Sequence, residues 1–269
     1  MTASRWTVRF DPRPQAEAVV VCIPNAGAGA SVFRTWSRDL PEWVDVIAVQ
    51  LPGRESRFHE PLRHDIHGLV AELADELSRV SESPAALFGH SFGGLLAFEL
   101  ARELRRRGRE PPQLFLAACP PPHVHKLDSG LRYLPLDDLI AELRRRRHTP
   151  EAVLRNRDLM AALQRVLRAD LALVAAYSYL PGANEPPLTA ALSIFGGIDD
   201  ADAPLATLPK WSQLTSGPVH VRTFPGGHFF TATARDALLQ AIAADLAARS
   251  AGHAPSSDTD DSSARLAVG

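Results

Sequence analysis

The chain has 269 residues, of which 45% are hydrophobic, and a formal net charge of -2. This length is enough for one large core, and the near-zero charge speaks against a nucleic-acid partner or an anionic membrane surface. The sequence has no apolar run of about 18 residues and no signal-peptide pattern, and its two cysteines lie in apolar runs, so we expect a soluble cytoplasmic protein with no membrane contact and no disulfide framework.

Short apolar runs alternate with helical patterns along most of the chain. The runs have the length of buried strands and occupy residues 18–23, 44–49, 85–88, 114–119, 190–195 and 219–224. Apolar residues at helical spacing follow at 69–80, 95–104 and 238–246, and residues 5–10 form a candidate edge strand. This alternation predicts the α/β class, with a mostly parallel central sheet and helices on both faces.

The alternation is interrupted at residues 120–187. This stretch has no good strand candidate, and its apolar residues predict one helix near 139–143 and a longer one over 159–174. A helical insertion between two strands is typical of a lid over a site, although a helical elaboration without a gating role gives the same pattern. The rest of residues 1–249 forms the main domain, and the small, polar and acidic residues 250–269 predict a disordered tail.

The strongest local motif is Gly89-His90-Ser91-Phe92-Gly93. It directly follows a predicted strand and directly precedes a predicted helix, which is the context of a nucleophile elbow. Both glycines suit a tight turn, and the serine hydroxyl at its tip lies at a helix N-terminus, where an oxyanion is favoured. We therefore expect Ser91 to be a nucleophile.

A serine nucleophile needs a base and an acid that orients the base. In α/β-hydrolases the acid and then the histidine follow the serine along the chain. His228 lies on the loop between the last strand and the last helix, as the base should. The acid should follow the preceding strand, where Asp199, Asp200 and Asp202 are all candidates, and position alone does not choose among them.

The first long strand ends in a glycine-rich segment, residues 24–30. A dinucleotide-binding loop is one interpretation, but Val32 occupies the place of the third glycine and no acidic residue follows the second strand. The better interpretation is the loop that donates one backbone N–H to an oxyanion hole, while the residue after Ser91 donates the other.

Four segments together resemble the external, or type II, thioesterases that accompany modular polyketide and nonribosomal peptide synthases. They are CIPNAG at 22–27, QLPGRESRFHEP at 50–61, FGHSFGG at 88–94 and FPGGHFF at 224–230. The second and fourth segments are more specific than the elbow alone and indicate a thioesterase. The resemblance covers residues 19–248 and implies an α/β-hydrolase fold in which 120–187 is a helical lid.

The resemblance also implies roles for individual residues. It makes Ser91 the nucleophile, His228 the base and Asp200, three positions after the second glycine of its loop, the acid. It implies that the backbone amides of Ala26 and Phe92 form the oxyanion hole.

The chain departs from the family pattern in the first loop and beside the acid. The family usually has a histidine where Asn25 stands, and its acid is often followed by proline where this chain has Ala201.

The implied activity is removal of stalled or aberrant acyl groups from the phosphopantetheine arm of acyl carrier or peptidyl carrier domains. No metal and no organic cofactor is implied, because the phosphopantetheine belongs to the substrate. Two other hypotheses remain: a serine esterase acting on free small-molecule esters, and a carrier-binding module without activity. Intact Ser, Asp and His candidates speak against the inactive module.

Overall fold

The computed structural model describes residues 4–80, 84–124, 130–145, 149, 151–182 and 185–251. Within these residues, seven strands form one sheet in the order β1-β3-β2-β4-β5-β6-β7. The edge strand β1 is antiparallel to β3, and every other pairing is parallel. The strands are β1 (Thr7–Val8), β2 (Ala18–Ile23), β3 (Val44–Val49), β4 (Ala86–His90), β5 (Gln113–Ala117), β6 (Ala191–Gly197) and β7 (Val219–Phe224).

Helices cover both faces of this sheet. Side chains alternate between the two faces along each strand, so that one face packs on α2 and α3 and the other on α1 and α8. The α-helices in the described part are α1 (Trp36–Asp39), α2 (Ile66–Val80), α3 (Phe92–Arg106), α4 (Leu136–Arg145), α5 (Glu151–Leu154), α6 (Arg157–Ala176), α7 (Phe230–Thr233) and α8 (Arg235–Ala251). The mostly parallel sheet and its helices confirm the predicted α/β-hydrolase fold.

The helices α4, α5 and α6 lie between β5 and β6, where the sequence predicts a helical insertion. They have an apolar cluster of their own, which includes Leu139, Leu143 and Leu167. The end of α6 also joins the main core, through Leu173 and Val174. We call α4 to α6 the lid; the name describes its place above the sheet edge, and gating by it stays a prediction.

The strand predictions are accurate where the apolar run coincides with the paired backbone. The bounds of β2, β3 and β7 match, whereas β4 runs on to His90 because pairing with β5 continues to that residue. The edge strand is reduced to Thr7–Val8. The last helix continues to Ala251, past the predicted domain boundary at 249, and the remainder of the predicted tail lies outside the described residues.

Two further predictions concern cysteines and membrane spans. Cys22 and Cys119 are buried and free, and burial raises the pKa of both thiols. Among the helices of the described residues, none combines the length and apolar character that a bilayer crossing requires.

Candidate active site

Ser91 lies at the tip of a very tight strand-to-helix turn. It follows β4 and caps α3, with φ of 56° and ψ of -116°, a combination that costs about 1–3 kcal/mol in a residue with a side chain. A Cβ at position 89 would lie 2.1 Å from the carbonyl oxygen of Gly93, and a Cβ at position 93 would lie 2.2 Å from that of Ile23. The turn therefore requires glycine at both flanking positions. The Ser91 N–H donates to the carbonyl of Ala117 at 2.8 Å, which anchors the tip to β5.

His228 reaches this turn from the loop between β7 and α7. Its Nε2 lies 2.8 Å from Oγ of Ser91. Its Nδ1 lies 2.9 Å and 3.1 Å from the two carboxylate oxygens of Asp200, on the loop after β6. The structure thus brings together three side chains from three loops at the carboxyl edge of the parallel sheet, which is where open α/β sheets bind ligands.

The carboxylate of Asp200 is fully buried, with 0% of its side chain exposed. Its Oδ1 accepts backbone hydrogen bonds from Asp202 at 2.9 Å and Ala203 at 3.1 Å. Burial opposes ionisation, but the hydrogen bond and charge of His228 and these two amides hold the pKa of Asp200 below its usual value. An ionised Asp200 can only accept a hydrogen bond, so it favours the tautomer of His228 that has its proton on Nδ1. In this tautomer the lone pair of Nε2 faces the Ser91 hydroxyl.

The other two candidate acids are placed differently. Asp199 is exposed, and Asp202 is half-buried and lines the cavity described below. Asp200, Asp202 and His228 offer potential metal-ligand atoms within 4.8 Å of one another. A metal ion bound there would compete with the hydrogen bond between His228 and Asp200, since both groups already use their facing atoms.

The side chain of His90 contacts the loop that carries His228 and holds it in place. It is buried at the end of β4, and its Nε2 lies 2.8 Å from the backbone carbonyl of His228. Its ring packs edge-on against Phe229, with the ring centroids 5.2 Å apart. The sequence identified this residue only as part of the elbow motif, whereas the structure shows that it holds the loop that carries His228.

The loop after β2 carries Ala26, whose backbone amide is a candidate oxyanion donor by the family resemblance. Within the described part of the chain, neither this N–H nor that of Phe92 has a protein acceptor. The next amide, of Gly27, is bonded to Oδ2 of Asp170 at 2.8 Å. Asp170 lies on the lid helix α6 and forms two hydrogen bonds with the Arg54 guanidinium, at 2.6 Å and 2.8 Å.

Sequence reasoning missed both members of this buried pair. From the sequence, Arg54 is only one member of the 50–61 segment, and no role is predicted for Asp170. A signal was present, because Asp170 interrupts the apolar face of α6 between Val166, Leu167, Leu173 and Val174. A buried charge on such a face needs a partner, but the sequence does not reveal which one.

A cavity of about 690 Å³ opens onto Ser91 and His228. One part of its wall is aliphatic and comes largely from the lid and the turn before it, with Leu131, Leu143, Leu163, Leu167 and Leu171. Another part comes from the segments around α1, α7 and α8 and carries the polar side chains of Thr35, Thr231 and Arg235 beside the rings of Phe33 and Trp36; we call it the polar part. The cavity wall therefore combines an aliphatic surface with groups that can form hydrogen bonds and an ion pair.

Known proteins similar to this chain are thioesterases and proteins of peptide and polyketide biosynthesis. The thioesterase domain family profile matches residues 18–246. The chain is 34% identical over 228 residues to the gramicidin S biosynthesis protein GrsT of Aneurinibacillus migulanus, which covers 84% of this chain and 88% of GrsT. The structure of the type II thioesterase BorB from the borrelidin biosynthetic cluster matches with a TM-score of 0.81 and 35% identity, over 91% of this chain and 99% of BorB.

A third match is YbtT, a type II thioesterase from the yersiniabactin NRPS/PKS biosynthetic pathway. Its structure gives a TM-score of 0.78 and 29% identity, over 90% of this chain and 98% of YbtT. The family profile spans most of this chain, and the similarity to BorB extends over almost all of that protein. On these grounds the chain belongs to the thioesterase domain family and is a hydrolase that acts on thioesters.

Proposed function

We propose that this enzyme removes stalled or aberrant acyl groups from the phosphopantetheine arm of acyl carrier or peptidyl carrier proteins in polyketide or nonribosomal peptide biosynthesis. The observation that carries the proposal is the hydrogen bond of 2.8 Å between Ser91 Oγ and His228 Nε2, in a cavity with an aliphatic and a polar part. The similarity to type II thioesterases supports the same conclusion. The cytoplasmic location expected from the sequence remains a prediction.

The proposed chemistry uses an acyl-enzyme intermediate. His228 Nε2 takes the hydroxyl proton as Oγ of Ser91 bonds to the thioester carbonyl carbon. The tetrahedral oxyanion then collapses, the C–S bond breaks, and the thiolate takes the proton from His228 and leaves as a thiol. Water attacks the acyl-enzyme, giving a proton to His228, and this proton returns to Ser91 as the ester C–O bond breaks and the carboxylic acid is released.

Two groups assist both steps in this mechanism. Asp200 holds the imidazole in the tautomer that can accept a proton at Nε2 and stabilises the imidazolium that forms. The backbone amides of Ala26 and Phe92 are the oxyanion donors; each such donor contributes about 10²–10³ in rate in a well-studied serine protease. Their lack of a protein acceptor in the described residues leaves them available to the substrate oxygen.

The cavity also suggests how the substrate lies. The acyl chain would occupy the aliphatic part under the lid, and the phosphopantetheine would occupy the polar part. Arg235 is the cation of this part, and its Nη2 contacts Thr35 at 2.7 Å and also the carboxylate of Asp39. A guanidinium suits the phosphate at the carrier end of the arm.

The test compares three substrates that have the same acyl group. Intact-mass analysis follows hydrolysis of an acylated carrier protein, of the same acyl group on free pantetheine, and of the matching free oxyester. We expect the acyl carrier protein to react with the highest kcat/KM, and we expect Ser91→Ala to abolish the reaction. Faster hydrolysis of the free oxyester would instead support the esterase hypothesis.

The contribution of Arg235 is tested on the same substrates. Arg235→Gln should raise KM for the acyl carrier protein several-fold and leave hydrolysis of acyl-pantetheine, which has no phosphate, unchanged. The matched control is Arg38→Gln, since Arg38 is exposed on the neighbouring helix α1 and does not line the cavity. Equal effects of Arg235→Gln on both substrates would contradict a phosphate contact.

A further inference from the structure

We propose that Asp170, held in place by Arg54, is a positioning residue for the oxyanion hole, and that it makes the hole depend on docking of the lid helix α6. The proposal rests on the function given above, because it takes the amide of Ala26 as an oxyanion donor. It adds a structural link between the lid and the chemical step.

The link is short and buried. Asp170 is 3% exposed and Arg54 is 6% exposed. Asp170 Oδ2 accepts the Gly27 N–H at 2.8 Å, and the Arg54 guanidinium, besides binding both oxygens of Asp170, donates to the carbonyl of Ala28 at 3.1 Å. One ion pair thus holds two consecutive residues of the candidate oxyanion loop, one by its N–H and one by its carbonyl.

These contacts fix the peptide next to the proposed donor. The Gly27 N–H belongs to the peptide unit between Ala26 and Gly27. The carbonyl of the same unit accepts a hydrogen bond from Nδ2 of Asn25 at 3.1 Å. With both ends of this unit held, the backbone at Ala26 has little freedom to rotate, and its own N–H keeps one direction. The position and direction of the Ala26 N–H matter, because an oxyanion donor must lie about 2.7–3.1 Å from the oxyanion. A displacement of about 1 Å can lower the rate by 10²-fold.

Because Asp170 and Arg54 are both charged and buried, we expect their pair to position the oxyanion loop more than to stabilise the fold. Burying two charges carries a large desolvation cost for each ion, and replacing such a pair by apolar residues is often neutral or stabilising. A leucine at position 170 would extend the apolar face of α6 toward the main core. What it would lack is an acceptor for the Gly27 N–H.

The dependence on the lid follows from the position of Asp170 in the chain. Asp170 is on α6, whereas Gly27 and Arg54 belong to the main domain. Leu163, also on α6, packs against the same turn: a Cβ at Gly27 would lie 3.0 Å from its Cδ1. When α6 moves away from this loop, the Gly27 amide loses its acceptor and the turn loses its packing. The hole is therefore complete only while α6 is docked.

The experiment separates binding of the tetrahedral state from binding of the ground state. The variants are Asp170→Leu, which removes the acceptor for the Gly27 N–H, and Arg54→Lys, which keeps the charge but not the two-point contact. A trifluoromethyl ketone analogue of the acyl chain reports on the oxyanion hole, and a non-hydrolysable thioether analogue reports on ground-state affinity. Both inhibition constants refer to folded enzyme, so partial loss of folding does not obscure them.

We expect kcat on the acyl carrier protein to fall about tenfold to a hundredfold in both variants. Affinity for the trifluoromethyl ketone should fall by the same factor, and affinity for the thioether should stay within about twofold. The control is Asp245→Asn, which weakens an ion pair at the surface, between the half-buried Asp245 on α8 and the partly exposed Arg222 on β7, 2.5 Å apart and away from the loop. This control should lower stability and leave the ratio of the two affinities unchanged.

Three outcomes would overturn the proposal. These are unchanged kcat in both variants, equal losses of affinity for the two analogues, or the same change in Asp245→Asn. Failure here is distinct from failure of the proposed function, because the wild-type enzyme would still hydrolyse acyl carriers through Ser91. If the wild-type enzyme does not hydrolyse acyl carrier proteins, the proposed function itself is wrong.

Discussion

The elbow and the lid meet at one cavity but are held in place by different forces. At the elbow, backbone packs on backbone, and glycines at 89 and 93 allow contacts that any side chain would prevent. The lid has its own apolar cluster, and the end of α6 joins the main domain both through Leu173 and Val174 and through buried polar contacts. One such contact is the pair of Asp170 with Arg54, and another, directly after α6, is the hydrogen bond of 2.5 Å between Tyr177 and Glu99.

This difference separates the part that performs chemistry from the part that selects substrates. The elbow depends on close backbone contacts that only glycine allows at positions 89 and 93, so we expect substitutions at these glycines and at Ser91 to abolish the reaction. The lid contacts are side-chain interactions that can be removed one at a time. We therefore expect substitutions there to change rate, chain-length preference or stability by degrees, and four predictions test this expectation.

The largest effect is expected for Ser91→Ala. Without the hydroxyl no acyl-enzyme forms, and loss of the nucleophile costs about 10⁶ in kcat in the subtilisin example. The measurement is kcat on an acyl carrier protein, together with thermal unfolding to show that the fold is kept. The matched control is Ser78→Ala, a serine of α2 whose hydroxyl bonds to the Ala74 carbonyl and to Arg109, away from the cavity. Near-normal turnover by the Ser91 variant would contradict its role as nucleophile.

The second effect concerns the acid. Asp200→Asn should lower kcat by about 10⁴, the factor known for the corresponding change in a serine protease, without weakening carrier binding. Asp199→Asn and Asp202→Asn serve as controls from the same loop and should stay close to wild type. A severe defect in either control, with Asp200→Asn nearly normal, would show that another aspartate is the catalytic acid. The roles proposed for Ser91 and His228 would not change.

Local sequence was sufficient for the elbow and for the histidine loop. Strand, tight turn and helix follow one another within a few residues at Ser91, and His228 stands between the last strand and the following helix. Choosing among three aspartates was possible only by family spacing. In the structure, local hydrogen bonds distinguish Asp200 from the other two aspartates. Its Oδ1 accepts hydrogen bonds from the backbone N–H groups of Asp202 and Ala203, which hold the carboxylate toward His228.

The lid contacts were beyond sequence reasoning for a physical reason. Asp170 pairs with Arg54 across 116 positions, and Tyr177 pairs with Glu99 across 78. Each residue is an ordinary member of its own segment, and only the folded chain brings the partners together. The helices of the lid were predictable from apolar spacing, because that signal is local; the way the lid attaches was not.

A third prediction tests whether the lid selects the acyl chain. Leu171→Phe adds volume to a partly buried side chain of α6 that lines the cavity. We expect kcat/KM to fall about tenfold for long acyl chains and to change little for short ones, since one methylene group in an apolar pocket is worth about 1–3 kcal/mol. The control on the same helix is Leu159→Phe, because Leu159 is 51% exposed and does not line the cavity. Equal losses for all chain lengths would contradict selection by this surface.

The smallest effect is expected where the segment after α6 attaches to α3. Glu185 binds Arg105 at 2.6 Å and Arg102 through two nitrogens. Burial alone would raise the pKa of Glu185, but the hydrogen bond from Arg102, the Gly182 amide and the nearby arginine charges lower it to about 2. Glu185→Gln should therefore cost about 1–2 kcal/mol at neutral pH, less than the pKa change alone implies, because solvent screens the partly exposed carboxylate.

The pH dependence identifies the cause of this loss. A carboxylate whose pKa is lowered by folding stabilises the protein above its unfolded pKa of about 4.3, and this contribution disappears as the pH falls toward the folded value of about 2. The difference in unfolding free energy between wild type and Glu185→Gln should thus be constant from pH 5 to pH 8 and shrink between about pH 4 and pH 2. The control is Glu151→Gln, since Glu151 pairs with Arg144 and Arg155 on the exposed side of the lid and should show no measurable change. If the Glu185 difference stayed the same at pH 3 as at pH 7, the charge would not be its source, and the segment after α6 would be held against α3 by packing, as the elbow is held.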